Sequence, residues 1–145
     1  MGHVNEVKER NASFELYKRA HHVLSEAKRV LDFKATCNDT SLDEETKIVK
    51  LGELMTESHL SCAMYYDCSS KELDELTKLA RDSGALGSRL TGAGWGGCCV
   101  SLVRKANLEE FIDKVYVYWT KERPVGEQLW ITDDLDRYIF ATQPA

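Results

Sequence analysis

Apolar side chains in the first part of the chain recur with the period of an α-helix. Between residues 14 and 31 they return every three or four positions, which is typical of one face of an amphipathic helix. The predicted inward stripe of this helix consists of Phe14, Tyr17, His21, Leu24, Ala27 and Leu31. A polar break at residues 38–40 follows and marks the end of the element.

Two more helices are predicted before residue 84. Ser41 and Glu44 have the spacing of a capping box, in which the two side chains bind backbone N–H groups at a helix start. This second helix is expected to extend to about residue 66, with the inward side chains Ile48, Leu51, Met55, Cys62 and Tyr66. Ser69 and Glu72 repeat the box ahead of a third helix, whose apolar face consists of Leu73, Leu76 and Ala80. Gly84 suits the C-terminal cap of that helix, where a left-handed residue is favoured.

The second half of the chain has the character of strands. Residues 86–90 form a short run bounded by glycines, residues 98–103 are rich in β-prone side chains, and residues 138–142 predict a closing strand. Between them, Asn107 and Glu110 form a third capping box. The helix predicted there buries Leu108, Phe111, Ile112, Val115 and Trp119, and it is expected to end at Pro124 and Gly126.

This order of elements predicts an α+β domain, in which helices cover a small, mostly antiparallel sheet in a ferredoxin-like arrangement. Residues 1–10 are expected to be an N-terminal tail and residues 11–145 the domain, which is long enough to bury a core without disulfides or a structural metal. The polar, turn-rich stretch 121–137 is expected to be the most mobile part.

Charge and cysteine content exclude several classes of function. The chain has 19 basic and 24 acidic side chains and a net charge of −5, which argues against a nucleic-acid or anionic-membrane surface. No apolar run approaches the length of a membrane span. The five cysteines lack the paired spacing of a zinc site, so we expect no metal ligands and instead buried, reduced thiols in a cytoplasmic protein.

The most distinctive segment is the glycine loop at residues 91–97, with the sequence Thr91, Gly92, Ala93, Gly94, Trp95, Gly96 and Gly97. It contains G-x-G-x-x-G, but a strand-like run follows it rather than the helix that a dinucleotide-binding turn requires. The lysine-bearing strand and H-R-D segment of protein kinases are absent, and so is the P-loop pattern. Three interpretations stay open: the backbone N–H groups of the loop bind an anion, another backbone segment approaches the glycines closely, or the glycines only form a tight strand connection or bulge.

The wider sequence resembles the C-terminal half of galactokinases, which belong to the superfamily of galactokinase, homoserine kinase, mevalonate kinase and phosphomevalonate kinase. Four segments carry the resemblance: R-A-H-H-V-L-S-E at 19–26, L-M-T-E-S-H-L-S-C at 54–62, Y-D-C-S at 66–69 with E-L-D at 72–74, and G-S-R-L-T-G-A-G-W-G-G-C at 87–98. It spans roughly residues 17–103 and continues weakly to residue 144. Trp95 and the S-H-x-S-C string are closer to eukaryotic galactokinases and N-acetylgalactosamine kinases.

The resemblance implies an enzyme that transfers the γ-phosphoryl group of ATP, with Mg²⁺, to the anomeric hydroxyl of a sugar. The loop 91–97 then corresponds to the third family motif, beside the sugar and the ATP phosphates. The catalytic carboxylate, the arginine near the sugar and the serine-rich phosphate loop belong to an N-terminal half. No catalytic residue is therefore expected in this chain, its partner is the N-terminal half of the same protein, and the chain alone is expected to be inactive. Apolar surface should be exposed beside Trp95.

The resemblance leaves the particular function open. Galactose is the first expectation for the sugar and N-acetylgalactosamine the second, and a non-catalytic regulatory protein on the same fold is the alternative from another class.

Several polar residues have competing interpretations. For His21, His22 and His59, packing or capping is favoured over metal binding, because they lack the spacing of a zinc helix. For Arg89, an ion pair with a nearby carboxylate is favoured over phosphate binding. The acidic cluster of Asp133, Asp134 and Asp136 is expected to be a solvated loop rather than a Mg²⁺ site.

Overall fold

The computed structural model describes residues 14–122 and 138–143, and it consists of four α-helices and one β-hairpin within those ranges. Helix α1 spans Leu16–Asn38 and α2 spans Glu44–Ser61, which continues into a π-helical turn at Cys62–Tyr66. Helix α3 spans Lys71–Asp82. Strands β1 (Gly87–Thr91) and β2 (Cys98–Leu102) follow, and a 3₁₀ turn at Lys105–Asn107 leads into α4 (Leu108–Val117) and a π-helical turn at Tyr118–Glu122. The α+β class is confirmed.

Helix α1 lies with its polar face against the rest of the domain, so the prediction that its apolar stripe faces inward is wrong. Tyr17, Leu24 and Leu31 are 77%, 71% and 67% exposed. The inward side is held by polar and aromatic contacts instead: the ring of His21 lies 4.3 Å from that of Tyr65, centroid to centroid. Periodicity locates the apolar stripe of a helix, but it does not determine what covers that stripe.

The starts of α2 and α3 differ from the predicted capping boxes by one or two residues. Asp43 caps α2 by accepting a hydrogen bond from the Thr46 backbone N–H at 2.8 Å, whereas the Ser41 side chain donates to Asp39. Ser70, not Ser69, caps α3 through the N–H of Leu73. These shifts occur because several adjacent Ser and Asp side chains can all act as caps. The predicted end of the second helix at residue 66 is confirmed.

The end of α3 and its apolar face agree with the sequence pattern. Leu73 and Ala80 are buried, and Leu76 is partly buried. Gly84 has a φ of +109°, and the N–H groups of Gly84 and Ala85 donate to the carbonyls of Arg81 and Ala80. This pair of bonds satisfies the last carbonyls of the helix as a Schellman motif does.

Strands β1 and β2 pair antiparallel, with Gly87 opposite Leu102 and Thr91 opposite Cys98. Ser88 and Leu90 point toward the helices and are fully buried, while Val100 on the other face is exposed. The hairpin confirms both predicted strands and places the glycine loop 92–97 at its tip.

Helix α4 buries Phe111 and Val115 against Ala80 and Ala85, and the π-helical turn that follows adds Trp119 to the same cluster, as the periodicity predicts. Its predicted capping box is wrong, because the side chain of Asn107 makes no cap hydrogen bond. The preceding 3₁₀ turn gives Asn107 a φ of −107° and a ψ of 4°, which is not the extended conformation of an N-cap.

The predicted closing strand at residues 138–142 is wrong, since these residues form a turn followed by irregular backbone. Tyr138 and Phe140 are exposed, and only Ile139 packs against the α4 cluster. A strand needs a partner, and within the described residues β1 and β2 pair only with each other. The predictions made for Pro124, Gly126 and most of residues 121–137 lie outside the described residues.

Candidate functional site: a glycine loop tethered from two helices

The glycine loop turns back on itself by using left-handed backbone conformations at five positions. The φ angles are +80° at Gly92, +85° at Gly94, +57° at Trp95, +141° at Gly96 and +88° at Gly97. Glycine adopts such angles without steric cost, whereas a tryptophan in this region is uncommon. Trp95 must therefore be held in place by other contacts.

Those contacts come from the turn at Asp67 and Cys68, which follows the π-helical turn. The N–H of Trp95 donates to the Cys68 carbonyl at 2.6 Å, and its indole Nε1–H donates to the Asp67 carbonyl at 3.0 Å. At Gly94, a Cβ atom would lie 2.1 Å from the same Cys68 oxygen. Close backbone approach thus explains Gly94.

The other three glycines of the loop have open space around them instead of a neighbouring backbone. No atom lies within 4 Å of where a Cβ would be at Gly92, Gly96 or Gly97. Trp95 is 65% exposed, and Val100 on the adjoining strand is 45% exposed. The loop therefore presents open backbone, and the exposed apolar surface predicted beside Trp95 is present.

Arg19 from α1 holds the Asp67–Cys68 turn in place. The Arg19 guanidinium donates to the Tyr65 carbonyl at 2.5 Å, lies 3.9 Å from the Asp67 carboxylate and stands 5.9 Å above the centre of the Tyr66 ring. Asp67 itself is left-handed, with a φ of +62°. A side chain on the first helix thus sets the position of the loop at the hairpin tip.

A second tether joins α1 to α2 and β1 through Glu26. Its carboxylate accepts a hydrogen bond from Ser58 Oγ at 2.7 Å, pairs with Arg29 and lies 3.8 Å from Arg89 Nη1. Arg89 also donates from Nε to the Leu90 carbonyl at 3.0 Å. The ion-pair interpretation of Arg89 is confirmed. The glycine loop itself contains no charged side chain.

His59 is buried beneath the hairpin and has a structural role. The backbone N–H of Leu90 donates to its Nδ1 at 3.3 Å, so Nδ1 is unprotonated. Its Nε2 lies 2.9 Å from Thr77 Oγ1, which donates its own proton to the Asp74 carbonyl, and 3.2 Å from the Asp74 carboxylate. His59 is therefore neutral with its proton on Nε2, and burial, partly opposed by Asp74, lowers its pKa.

His22 packs similarly, with Nδ1 3.0 Å from Ser61 Oγ, so the packing interpretation is confirmed for both.

The neutral state of His59 predicts that the domain loses stability as the pH falls below about 6.5, the usual histidine pKa. The unfolded chain takes up a proton there that the folded chain resists, so the free energy of unfolding declines between pH 6.5 and the lowered pKa of His59. Urea unfolding followed at pH 7.5 and 5.5 measures this. In a His59→Gln variant the stability difference between the two pH values should become smaller; an unchanged difference would contradict the assignment.

Two buried thiols lie under the loop. Cys62 and Cys68 form a cluster with Leu73 and Leu90. The pKa of Cys62 is raised to about 11, mainly because the thiol is buried and to a smaller extent because Cys68 lies beside it. All five cysteines are free.

The described residues contain no group of three or more His, Cys, Asp or Glu side chains arranged to hold a metal ion, and the Asp133–Asp136 cluster lies outside them. None of the helices described is long and apolar enough to cross a membrane.

The tethering roles of Arg19, Asp67 and Glu26 could not be derived from sequence reasoning. Each is a common exposed residue type in a helix or turn, and its partner lies more than 30 positions away in the chain. The only available signal was their place inside the segments that carry the family resemblance.

Comparison with known proteins assigns the class. A family model described as GHMP kinases C terminal matches residues 41–119. The galactokinase of Dictyostelium discoideum is 46% identical over 144 residues, and that of Saccharomyces cerevisiae is 47% identical over 133 residues. The chain belongs to the GHMP kinase family and corresponds to the C-terminal domain of its members.

The relatives are much longer than this chain. Each of the two matches covers 90% of the chain but only 28% and 25% of the respective relative. A crystal structure of Lactococcus lactis galactokinase complexed with galactose superposes with a TM-score of 0.62 at 34% identity, over 72% of this chain and 26% of that one. The chain thus spans about a quarter of the length of these relatives.

Proposed function

We propose that this chain is the C-terminal part of a galactokinase, which transfers the γ-phosphoryl group of ATP to the anomeric hydroxyl of galactose. The observation that carries the proposal is the glycine loop: left-handed at five residues, fixed at Gly94 and Trp95, and open at its other glycines. It occurs in a chain whose relatives at 46% and 47% identity are galactokinases. Galactose is favoured over N-acetylgalactosamine because the named relatives are galactokinases and one was crystallised with galactose.

In this proposal residues 91–97 form one wall of the active site, beside the sugar and the ATP phosphates. Backbone N–H groups in a left-handed turn can face an anion, and the absence of Cβ atoms lets phosphate oxygens approach closely. The rigid tethers to Asp67 and Cys68 suit this role, because phosphoryl transfer depends mainly on positioning and charge stabilisation.

The rest of the chemistry is assigned to other parts of the protein. The loop has no charged side chain, Arg19 and Arg89 are engaged with Asp67 and Glu26, and the described residues offer no cluster fit for Mg²⁺. In this proposal the ligands of Mg²⁺ lie in the remainder of the polypeptide. Its partner is the remainder of the polypeptide, which would supply the catalytic carboxylate and the ATP phosphate loop. The free thiols fit the cytoplasmic location that we propose.

A chimera tests the proposal. The part of Dictyostelium galactokinase that matches this chain is replaced by the chain itself, and phosphorylation of galactose and of N-acetylgalactosamine by ATP is measured for the chimera and for the isolated chain. We expect the chimera to phosphorylate galactose and the isolated chain to show no rate above that in buffer. A folded but inactive chimera, or turnover by the isolated chain, would contradict the proposed division of roles.

A further inference from the structure

Helix α1 is inverted with respect to an ordinary surface helix. Its polar side chains, among them Arg19, His22, Ser25 and Glu26, face the domain and bond to α2 and the π-helical turn. Its opposite face carries the outer stripe: Leu16, Tyr17, Val23, Leu24, Val30 and Leu31, each 57% exposed or more. No residue of this 23-residue helix is buried. A surface helix of a complete domain normally turns its polar face to the solvent and its apolar face to the core.

The outer stripe is continuous along the helix. Its members repeat every seven residues in two adjacent rows, from Leu16 to Val30 and from Tyr17 to Leu31. At 1.5 Å per residue it is roughly 22 Å long. Of the fifteen large apolar side chains exposed in the described residues, eight lie within residues 14–33. A patch of this extent is rarely left bare on a monomer.

A cleft of about 450 Å³ continues the stripe between α1 and α2. Val30, Phe33, Leu54 and Met55 line it, together with Ser58 and the charged side chains of Glu26, Arg29, Lys34 and Arg89. The surface therefore combines a long convex apolar face with one concave position that can receive an apolar side chain.

We infer that the outer stripe and this cleft are the docking surface for the part of the polypeptide that lies outside the matched region in the longer relatives. A match over 90% of the chain cannot omit a 23-residue helix, yet it accounts for only 25–28% of the relatives' length. In the relatives that remainder is part of the same polypeptide. A linked segment acts at an effective concentration of about millimolar, which favours it over a second copy of the chain. The inference rests on the proposed function only in taking the chain as part of such a longer protein.

Hydroxyl-radical footprinting read by mass spectrometry measures the exposure of these side chains directly. Tyr17, Leu24 and Leu31 should be oxidised readily in the isolated chain and about tenfold or more slowly in the chimera with Dictyostelium galactokinase, because the core of an interface excludes water. Equal oxidation in the two proteins would overturn the inference. Protection in the isolated chain, together with a dimer mass in sedimentation, would assign the surface to a second copy and overturn it as well.

A pair of double variants provides a matched test. Leu24→Asp with Leu31→Asp places two charges on the outer stripe, and Thr40→Asp with Ala106→Asp adds the same charge at exposed positions outside it. Both pairs should leave the helical circular dichroism of the isolated chain unchanged. In the chimera, only the stripe variant should lower the urea midpoint and expose Tyr17 to oxidation. Equal midpoints for the two chimeric variants would contradict the docking surface.

The chimera separates the two proposals. Protection of the stripe in a chimera that lacks kinase activity would support docking while contradicting the proposed function. Full kinase activity with an unprotected stripe would support the proposed function and contradict the docking surface.

Discussion

Replacing Gly94 by alanine is expected to destabilise the domain by about 3 kcal/mol, from a backbone collision and left-handed strain together. The new Cβ would lie 2.1 Å from the Cys68 carbonyl oxygen, at a φ of +85°. Relief requires the loop to move off the Asp67–Cys68 turn, which breaks the 2.6 Å hydrogen bond from the Trp95 N–H. The free energy of urea unfolding of the isolated chain measures the effect, and chimera activity should fall with it if the loop forms the active-site wall.

Gly92→Ala is the matched control. Gly92 has a similar φ of +80°, but no atom lies within 4 Å of its Cβ position. Only the left-handed strain remains, which costs roughly 1–2 kcal/mol. If the two variants were equally stable, close approach to Cys68 would not be the reason for glycine at position 94.

The second large effect is expected at the contact between α2 and β1. A Cβ at Gly52 would lie 2.3 Å from the Leu86 carbonyl oxygen, and a Cβ at Gly87 would lie 2.0 Å from the carbonyl oxygen of Gly52. Two backbones thus touch where both residues lack side chains. Gly52→Ala gains about 1 kcal/mol of helix propensity. Pushing the helix off a buried strand costs more, and we expect a net loss of about 3 kcal/mol or more.

Lys50→Ala provides the comparison for Gly52→Ala. Lys50 is exposed on the same helix, so its replacement should change the unfolding free energy by no more than about 0.5 kcal/mol. The urea midpoints of the two variants are measured together. A Gly52→Ala protein as stable as the Lys50→Ala protein would show that α2 and β1 can separate without cost.

Features fixed by short-range chemistry could be predicted from the sequence. The two strands, the strand-to-strand setting of the glycine loop, the left-handed Gly84 and the buried face of α3 all depend on residues within a few positions of one another. The resemblance added the family. The residue types at Gly94 and Trp95 indicated close approach or anion binding, but the partner, the Cys68 carbonyl, lies 26 or more residues away and gives no local signal.

Features decided by distant partners could not be predicted. The apolar stripe of α1 was found, but its direction depends on which polar groups α2 and the π-helical turn offer, such as Ser58, Ser61 and the Tyr65 carbonyl. The predicted closing strand at 138–142 is wrong for the same reason, since a β-prone run shows that a segment can pair and not that a partner edge is present. The predicted starts of α2 and α3 differ from the observed ones by one or two residues, because several neighbouring Ser and Asp side chains can act as caps.

The two-stranded hairpin has a consequence for how the isolated chain behaves in concentrated solution. No third strand pairs with β2 among the residues described, so the outward N–H and C=O groups along its free edge are not taken up by a neighbouring strand. Such an edge is a template to which an extended segment of another molecule can add. Colloidal stability of the isolated chain should therefore be limited by edge-to-edge association, and storage at low protein concentration favours the dispersed state.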